Sequence, residues 1–235
     1  MRIDGRERDE IRPVSIQKQF TIHPEGSVLL SMGDTMILAN VSAEDDVPYW
    51  MKDTGRGWVT SEYAMLPRST HHRQKRERGG RYNSRAIEIS RLIGRALRPV
   101  VDLNALGSCT LRIDCEVLQA DGGTRCASIT AAYIALKHAE KWLLDEGWID
   151  KPVITRTVAA VSVGIVEETP LLDLNYEEDS KADVDLNVAM TSDGTIIEIQ
   201  GTAEGEPFSR DTLCDLLDLA TKGINDLVNV QNRAI

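Results

Sequence analysis

Three short stretches of this 235-residue chain gather side chains able to do chemistry. The first is Asp121-Gly122-Gly123-Thr124-Arg125. Paired glycines let a backbone approach an anion, the free N–H groups at a helix start favour negative charge, and an arginine adds a planar fork matched to phosphate oxygens. The spacing is not that of a P-loop, so a tight strand-to-helix turn is the plain competing reading. The second is Glu177-Glu178-Asp179-Ser180-Lys181-Ala182-Asp183-Val184-Asp185. Asp183 and Asp185 fall on one side of an extended backbone, and Asp179 stands in the loop before them, able to fold back beside either. Crowded carboxylates can hold Mg²⁺ through oxygens and water, and crowding raises their pKa toward the range of a general acid, although most acidic loops do neither. The third, Leu66 to Arg76, is a loop carrying Arg68, Arg73, Lys75 and Arg76. Such a run is a solvated face or a track for a phosphodiester backbone.

The whole-chain charge of −10 speaks against a nucleic-acid partner until it is partitioned. Residues 68–98 hold ten basic side chains against Glu77 and Glu88, a net +8, leaving −18 for the remainder. A hydrophobic content of 42% is enough for a packed core and argues against disorder. No apolar run reaches the length of a membrane span, and the N-terminus has no signal-peptide core, so a cytoplasmic chain without membrane attachment is expected. Cys109, Cys115, Cys126 and Cys214 show no metal-ligand spacing and read as reduced thiols rather than a zinc site. None of the four histidines reads as catalytic, and Trp50 and Trp58 are expected to pack rather than stack on a ligand.

The elements that must position these groups follow from periodicity. Residues 27–42 form a hairpin around Gly33-Asp34. A helix over 84–97 puts Ile89, Leu92, Ile93, Ala96 and Leu97 on one stripe and Arg91, Arg95 and Arg98 on another face. Residues 111–117 alternate strictly, as a half-buried strand does, and lead through the Asp121–Arg125 turn into a helix from about Cys126 to Glu146. Strands near 158–166 and 171–174 come next, and a hairpin, 184–191 with 195–201, precedes a last helix capped by Ser209. Strands interrupted by helices indicate an α+β domain covering 1–235, with two loosely duplicated hairpin-then-helix halves.

Several longer stretches in a fixed order resemble the ribonuclease PH family of phosphate-dependent 3′ exoribonucleases. They are Arg2-Ile3-Asp4-Gly5-Arg6, Gly57-Trp58-Val59-Thr60-Ser61-Glu62-Tyr63, Met65-Leu66-Pro67-Arg68-Ser69-Thr70, Glu88-Ile89-Ser90-Arg91-Leu92-Ile93-Gly94-Arg95, Gln119 to Arg125, Glu178-Asp179-Ser180 and Gln200-Gly201-Thr202-Ala203-Glu204-Gly205. The resemblance implies one α+β domain with an internal duplication, assembled as a homohexameric ring, a trimer of dimers. It implies that Gly123, Thr124, Arg125 and Arg85 bind phosphate, that Asp179 and Asp185 are the catalytic, Mg²⁺-binding pair, and that Arg68, Arg73 and Arg76 guide RNA. Three positions depart from the family pattern: Ser84 replaces a glycine, Cys126 replaces a threonine, and the loop after Arg76 is shorter.

The implied activity is removal of 3′-terminal nucleotides from tRNA precursors, with inorganic phosphate as co-substrate and nucleoside diphosphates as products. The alternative is a catalytically silent, RNA-binding ring subunit of an exosome-like assembly. A third possibility is a nuclease that uses water in place of phosphate.

Overall fold

The computed structural model describes residues 2–76 and 83–235. Arg78 and Arg81, and the shortened loop that contains them, lie outside the described residues. The chain builds two sheets around one long helix. Five strands, β1 (Val14–Lys18), β2 (Gly26–Met32), β3 (Thr35–Glu44), β4 (Trp58–Met65) and β5 (Thr110–Gln119), form the first sheet in the order β1-β2-β3-β5-β4. Between β4 and β5 run α1 (Ser84–Leu97) and the one-turn α2 (Leu103–Leu106). Helix α3 (Thr124–Asp145) follows β5, then come β6 (Val158–Val166), β7 (Thr169–Leu172), the one-turn α4 (Tyr176–Asp179), β8 (Val184–Thr191), β9 (Ile196–Ala203) and α5 (Arg210–Ala234). The second sheet has the order β7-β6-β8-β9.

The α+β expectation holds, and both foreseen hairpins are present with antiparallel register: Leu30 opposite Ile37 in the first and Val188 opposite Ile199 in the second. Helix α1 spans 84–97 as its periodicity requires and buries Ile89, Leu92, Ile93, Ala96 and Leu97. Ser209 caps α5, its side chain accepting from the N–H of Thr212. Helix α3 lies against both sheets and is buried nearly all round, from Thr124 through Leu143. That explains why its apolar residues show no single stripe: a helix covered on every side has no polar face to keep.

Two strands escape the sequence patterns. Strand β1 is the short edge of the first sheet, and β4 pairs with β5 in parallel, Tyr63 beside Cys115. A parallel partner must be reached by a crossover, here the α1–α2 segment, so nothing local announces it. Helix α3 also begins at Thr124, two residues before the expected start, which carries Thr124 and Arg125 into its first turn.

Candidate functional site

The turn between β5 and α3 needs both its glycines. Gly122 and Gly123 have φ of 73° and 64°, in the left-handed region, and a Cβ on Gly122 would come within 2.6 Å of the Leu174 carbonyl oxygen. Gly123 caps α3 without a side chain, so the helix start stays open to an anion. Thr124 is buried, with its Oγ1 2.9 Å from the Tyr63 hydroxyl on β4. Arg125 donates through Nη1 to Gln200 Oε1 at 2.6 Å and lies 3.7 Å from Glu88, while Gln200 Nε2 donates to Glu88 at 2.7 Å. That three-way contact joins α1, α3 and β9 and holds the guanidinium at the cavity wall.

The carboxylates come from the second sheet and the helical turn between two of its strands. Segment 177–185 is not all loop: Asn175 and Glu178 make a reciprocal capping box that winds Tyr176–Asp179 into a helical turn and presents Asp179 at its end. Asp185 stands on β8. Asn187, two residues on and on the same face, donates Nδ2–H to Asp185 Oδ2 at 3.3 Å, and the Cys126 thiol donates to Asn187 Oδ1 at 3.2 Å. The other oxygen, Asp185 Oδ1, is buried without a hydrogen-bond partner among the described residues. Burial, followed by the charge of Asp179, pushes the Asp185 carboxyl up to about 6. Burial likewise raises Asp179, against the lowering pull of Arg85 and Arg125.

These groups share one cavity of about 570 Å³. Arg85, Gly123, Thr124, Arg125, Asp179 and Asp185 all line it, as does Arg73 of the basic loop. Arg68 and Arg76 do not: Arg68 is exposed and donates to the His71 carbonyl of its own loop, and Arg76 acts on Glu116 of β5, whose carboxyl is raised by burial and then by Asp114 against the arginine's opposing pull. Nor do Arg91, Arg95 and Arg98 act as one face, since Arg98 lies past the end of α1. Arg95 pairs with Glu198 on β9, while Arg98 lies 4.7 Å over the Trp58 ring and donates to the Val59 carbonyl. Part of the +8 window is therefore spent on holding the two sheets together and on packing.

Tyr63, Glu88, Asn187 and Gln200 were missed as site residues by reading the sequence. Asn187 alone left a local trace, since it alternates with Asp185 on β8; the others reach the site from elements far along the chain. Among the described residues no group of three or more His, Cys, Asp or Glu side chains converges on one point. No helix among them is long and apolar enough to cross a membrane.

A glycine turn at an open helix start and two buried carboxylates thus share one cavity between two sheets packed on a common helix. Residues 10–141 match domain 1 of the 3′ exoribonuclease family, RNase PH, and residues 156–223 match its domain 2. The chain belongs to the ribonuclease PH family of 3′ exoribonucleases. It is similar to a chain of the Archaeoglobus fulgidus exosome with RNA bound to the active site, at 26% identity, TM-score 0.82, over 97% of this chain and 91% of that one. It is similar also to a chain of an archaeal exosome core, at 26% identity, TM-score 0.76, over 99% and 90%. Rice (Oryza sativa) Rrp46 shares the fold at 17% identity, TM-score 0.80, over 98% of both chains.

Proposed function

We propose that this chain is an RNA-binding ring subunit of exosome type that carries its own site for phosphate-dependent 3′-to-5′ cleavage. The ring placement is supported by its likeness to archaeal exosome chains, which favours it over a free homohexamer acting on tRNA precursors. The cleavage site is supported by one observation, the convergence of Arg85, Thr124, Arg125, Asp179 and Asp185 on a single cavity. A cytoplasmic location goes with this reading.

In this reading an inorganic phosphate oxygen attacks the phosphorus of the last nucleotide, and the bond from that phosphorus to the 3′ oxygen of the preceding nucleotide breaks. The terminal nucleotide leaves as a nucleoside diphosphate, and the freed 3′ oxygen takes up a proton. Two anions must approach, so repulsion is the barrier to remove. Arg85, Arg125, the Thr124 hydroxyl and the loop N–H groups hold the attacking phosphate, each charge-assisted bond contributing roughly 1.5–3 kcal/mol. His71 and the exposed Tyr176, whose ring centres lie 5.6 Å apart at the cavity wall, offer flat surfaces to a base.

Asp179 and Asp185 fit a divalent cation such as Mg²⁺, because one buried Asp185 oxygen lacks a partner and burial, then the charge of Asp179, opposes ionisation of Asp185. Such an ion, when bound, supplies positive charge to phosphate oxygens.

Incubating the protein with a 3′-extended RNA, with and without inorganic phosphate, tests the reading. Nucleoside diphosphates released only with phosphate are expected. Monophosphates released without it would mean hydrolysis, and RNA bound but uncut would mean the silent ring subunit.

The basic loop gives a separate expectation. If Arg68, Arg73 and Arg76 each contact an RNA phosphate, replacing all three with Ala flattens the log–log salt dependence of single-strand binding by about 2, at roughly 0.7 per contact. Arg73, the one at the cavity, accounts for about a third of that loss when changed alone. An unchanged slope in the triple variant would detach the loop from RNA.

A further inference from the structure

The turn that faces the cavity is held from behind by two residues that nothing above assigns to the site. Thr35, at the start of β3, is fully buried. Its Oγ1 donates to the Gly122 carbonyl at 2.8 Å and accepts from the Asp121 N–H at 3.0 Å. Arg12, 3% exposed, donates through Nη1 to the Asp121 carbonyl and, at 3.4 Å, to Thr35 Oγ1. Its other guanidinium nitrogens are fixed on Asp173, Nη2 at 2.7 Å and Nε at 3.0 Å. The Gly123 carbonyl accepts from Ala127 N–H as α3 begins.

Every carbonyl of Asp121-Gly122-Gly123 is therefore occupied, the first two from the side away from the cavity. The N–H groups of Gly122, Gly123, Thr124 and Arg125 make no hydrogen bond among the described residues, and all four residues line the cavity. A peptide unit whose C=O is pinned on one side presents its N–H to the other, because in a trans peptide the two groups point in opposite directions within one plane. Two consecutive left-handed glycines would otherwise leave this turn free to rotate its peptides and offer carbonyl oxygens, which repel an anion.

We propose that Thr35 and Arg12 are positioning residues that lock the Asp121–Gly123 peptides so that the turn shows only donors to inorganic phosphate. The inference rests on the phosphate-binding reading above and adds what makes the turn anion-selective. Neither residue touches the anion; each acts through the backbone. The contribution of the Thr35 hydroxyl falls on phosphate binding.

Thr35→Val in the full chain is the test, because it keeps the shape and removes only the hydroxyl. Arg12 variants would strip a buried Asp173 of its partner and are avoided for that reason. Three quantities are measured: binding of inorganic phosphate by equilibrium dialysis, hydrogen exchange at residues 121–125, and the Michaelis constants for phosphate and RNA in phosphorolysis. The expected result is phosphate affinity and phosphate KM each weakened about tenfold, faster exchange at the Asp121 amide, and unchanged KM for RNA. Thr35→Ser, which restores the hydroxyl, brings phosphate binding back.

A folded Thr35→Val protein that binds phosphate as well as the parent overturns the lock and leaves the proposed activity standing. Equal weakening for RNA and phosphate overturns it too, since that is what a merely structural role would do. A parent protein that binds no phosphate overturns both the lock and the phosphorolysis reading.

Discussion

Asp185→Asn is expected to lower the turnover of RNA phosphorolysis by about 10² to 10⁴-fold, the usual worth of a positioned acid–base or charge-stabilising group, with RNA affinity unchanged. The same change should make the metal-free protein more heat-stable at alkaline pH. The Asp185 carboxyl sits at about 6 in the folded chain against an ordinary value of 3.8, because burial and then Asp179 disfavour its charge. The folded state therefore holds this proton more tightly than the unfolded one. The stability that follows is fully present below about pH 3.8 and is lost as pH rises through about 6. Asparagine never ionises, so it escapes that loss. Melting in the presence of a chelator should show parent and variant alike near pH 4, with the variant's melting temperature higher at pH 8. Full activity in the variant would remove Asp185 from the site; identical melting at pH 8 would remove the burial strain assigned to it.

The other large effect lies beneath the site. Asp173, 1% exposed, accepts from Arg12 through both carboxylate oxygens and lies 3.5 Å from Arg6, itself 9% exposed. Arg2 and Arg6 approach the buried Glu178 at 2.7 and 3.7 Å, and Glu178 closes the capping box that presents Asp179. The N-terminal arginines thus clamp the turn on one side and α4 on the other. Asp173→Asn keeps the shape, and asparagine tolerates the left-handed φ of 54° at this position, so the variant reads the charge alone. Leaving two buried guanidinium groups without that carboxylate is expected to cost about 3–5 kcal/mol. In a chain of this size that lowers the melting temperature by roughly 10 °C. Lys222→Ala is the matched control: its contacts with Asp9 and Asp226 are half exposed and contribute about 0–1 kcal/mol. Similar melting of the two variants would show that the buried network does not support the fold.

Reading the residues located most of the cavity before its shape was visible. The Asp121–Arg125 turn was legible because glycine pairs and a following helix are local facts, and the Glu177–Asp185 run because carboxylates cluster within nine positions. The helix over 84–97 and both hairpins followed from patterns whose periods are set by the backbone itself. The role of Arg85 rested on the family resemblance: in the sequence it was one of ten basic residues, and only the cavity sets it opposite the aspartates.

The charge count was the least complete guide. Partitioning −10 into +8 and −18 pointed to the right part of the chain, but a count cannot tell a free charge from a spent one. Arg95 is neutralised by Glu198, Arg98 covers Trp58, and Arg125 is braced by Gln200 and Glu88. Each partner lies on an element with its own independent pattern.

By itself the sequence determined most of the element types, the identity of the chemical groups and the family, because these depend on residue type and short spacing. Tertiary structure alone decided which charges face the cavity, that β4 brings Tyr63 to Thr124, and that Thr35 and Arg12 turn the loop's donors outward. The reason is distance along the chain: Thr35 reaches Gly122 across 87 positions and Arg12 reaches Asp173 across 161. No local pattern encodes contacts of that span: the first forms when β3 pairs with β5, the second when the N-terminal segment meets the end of β7.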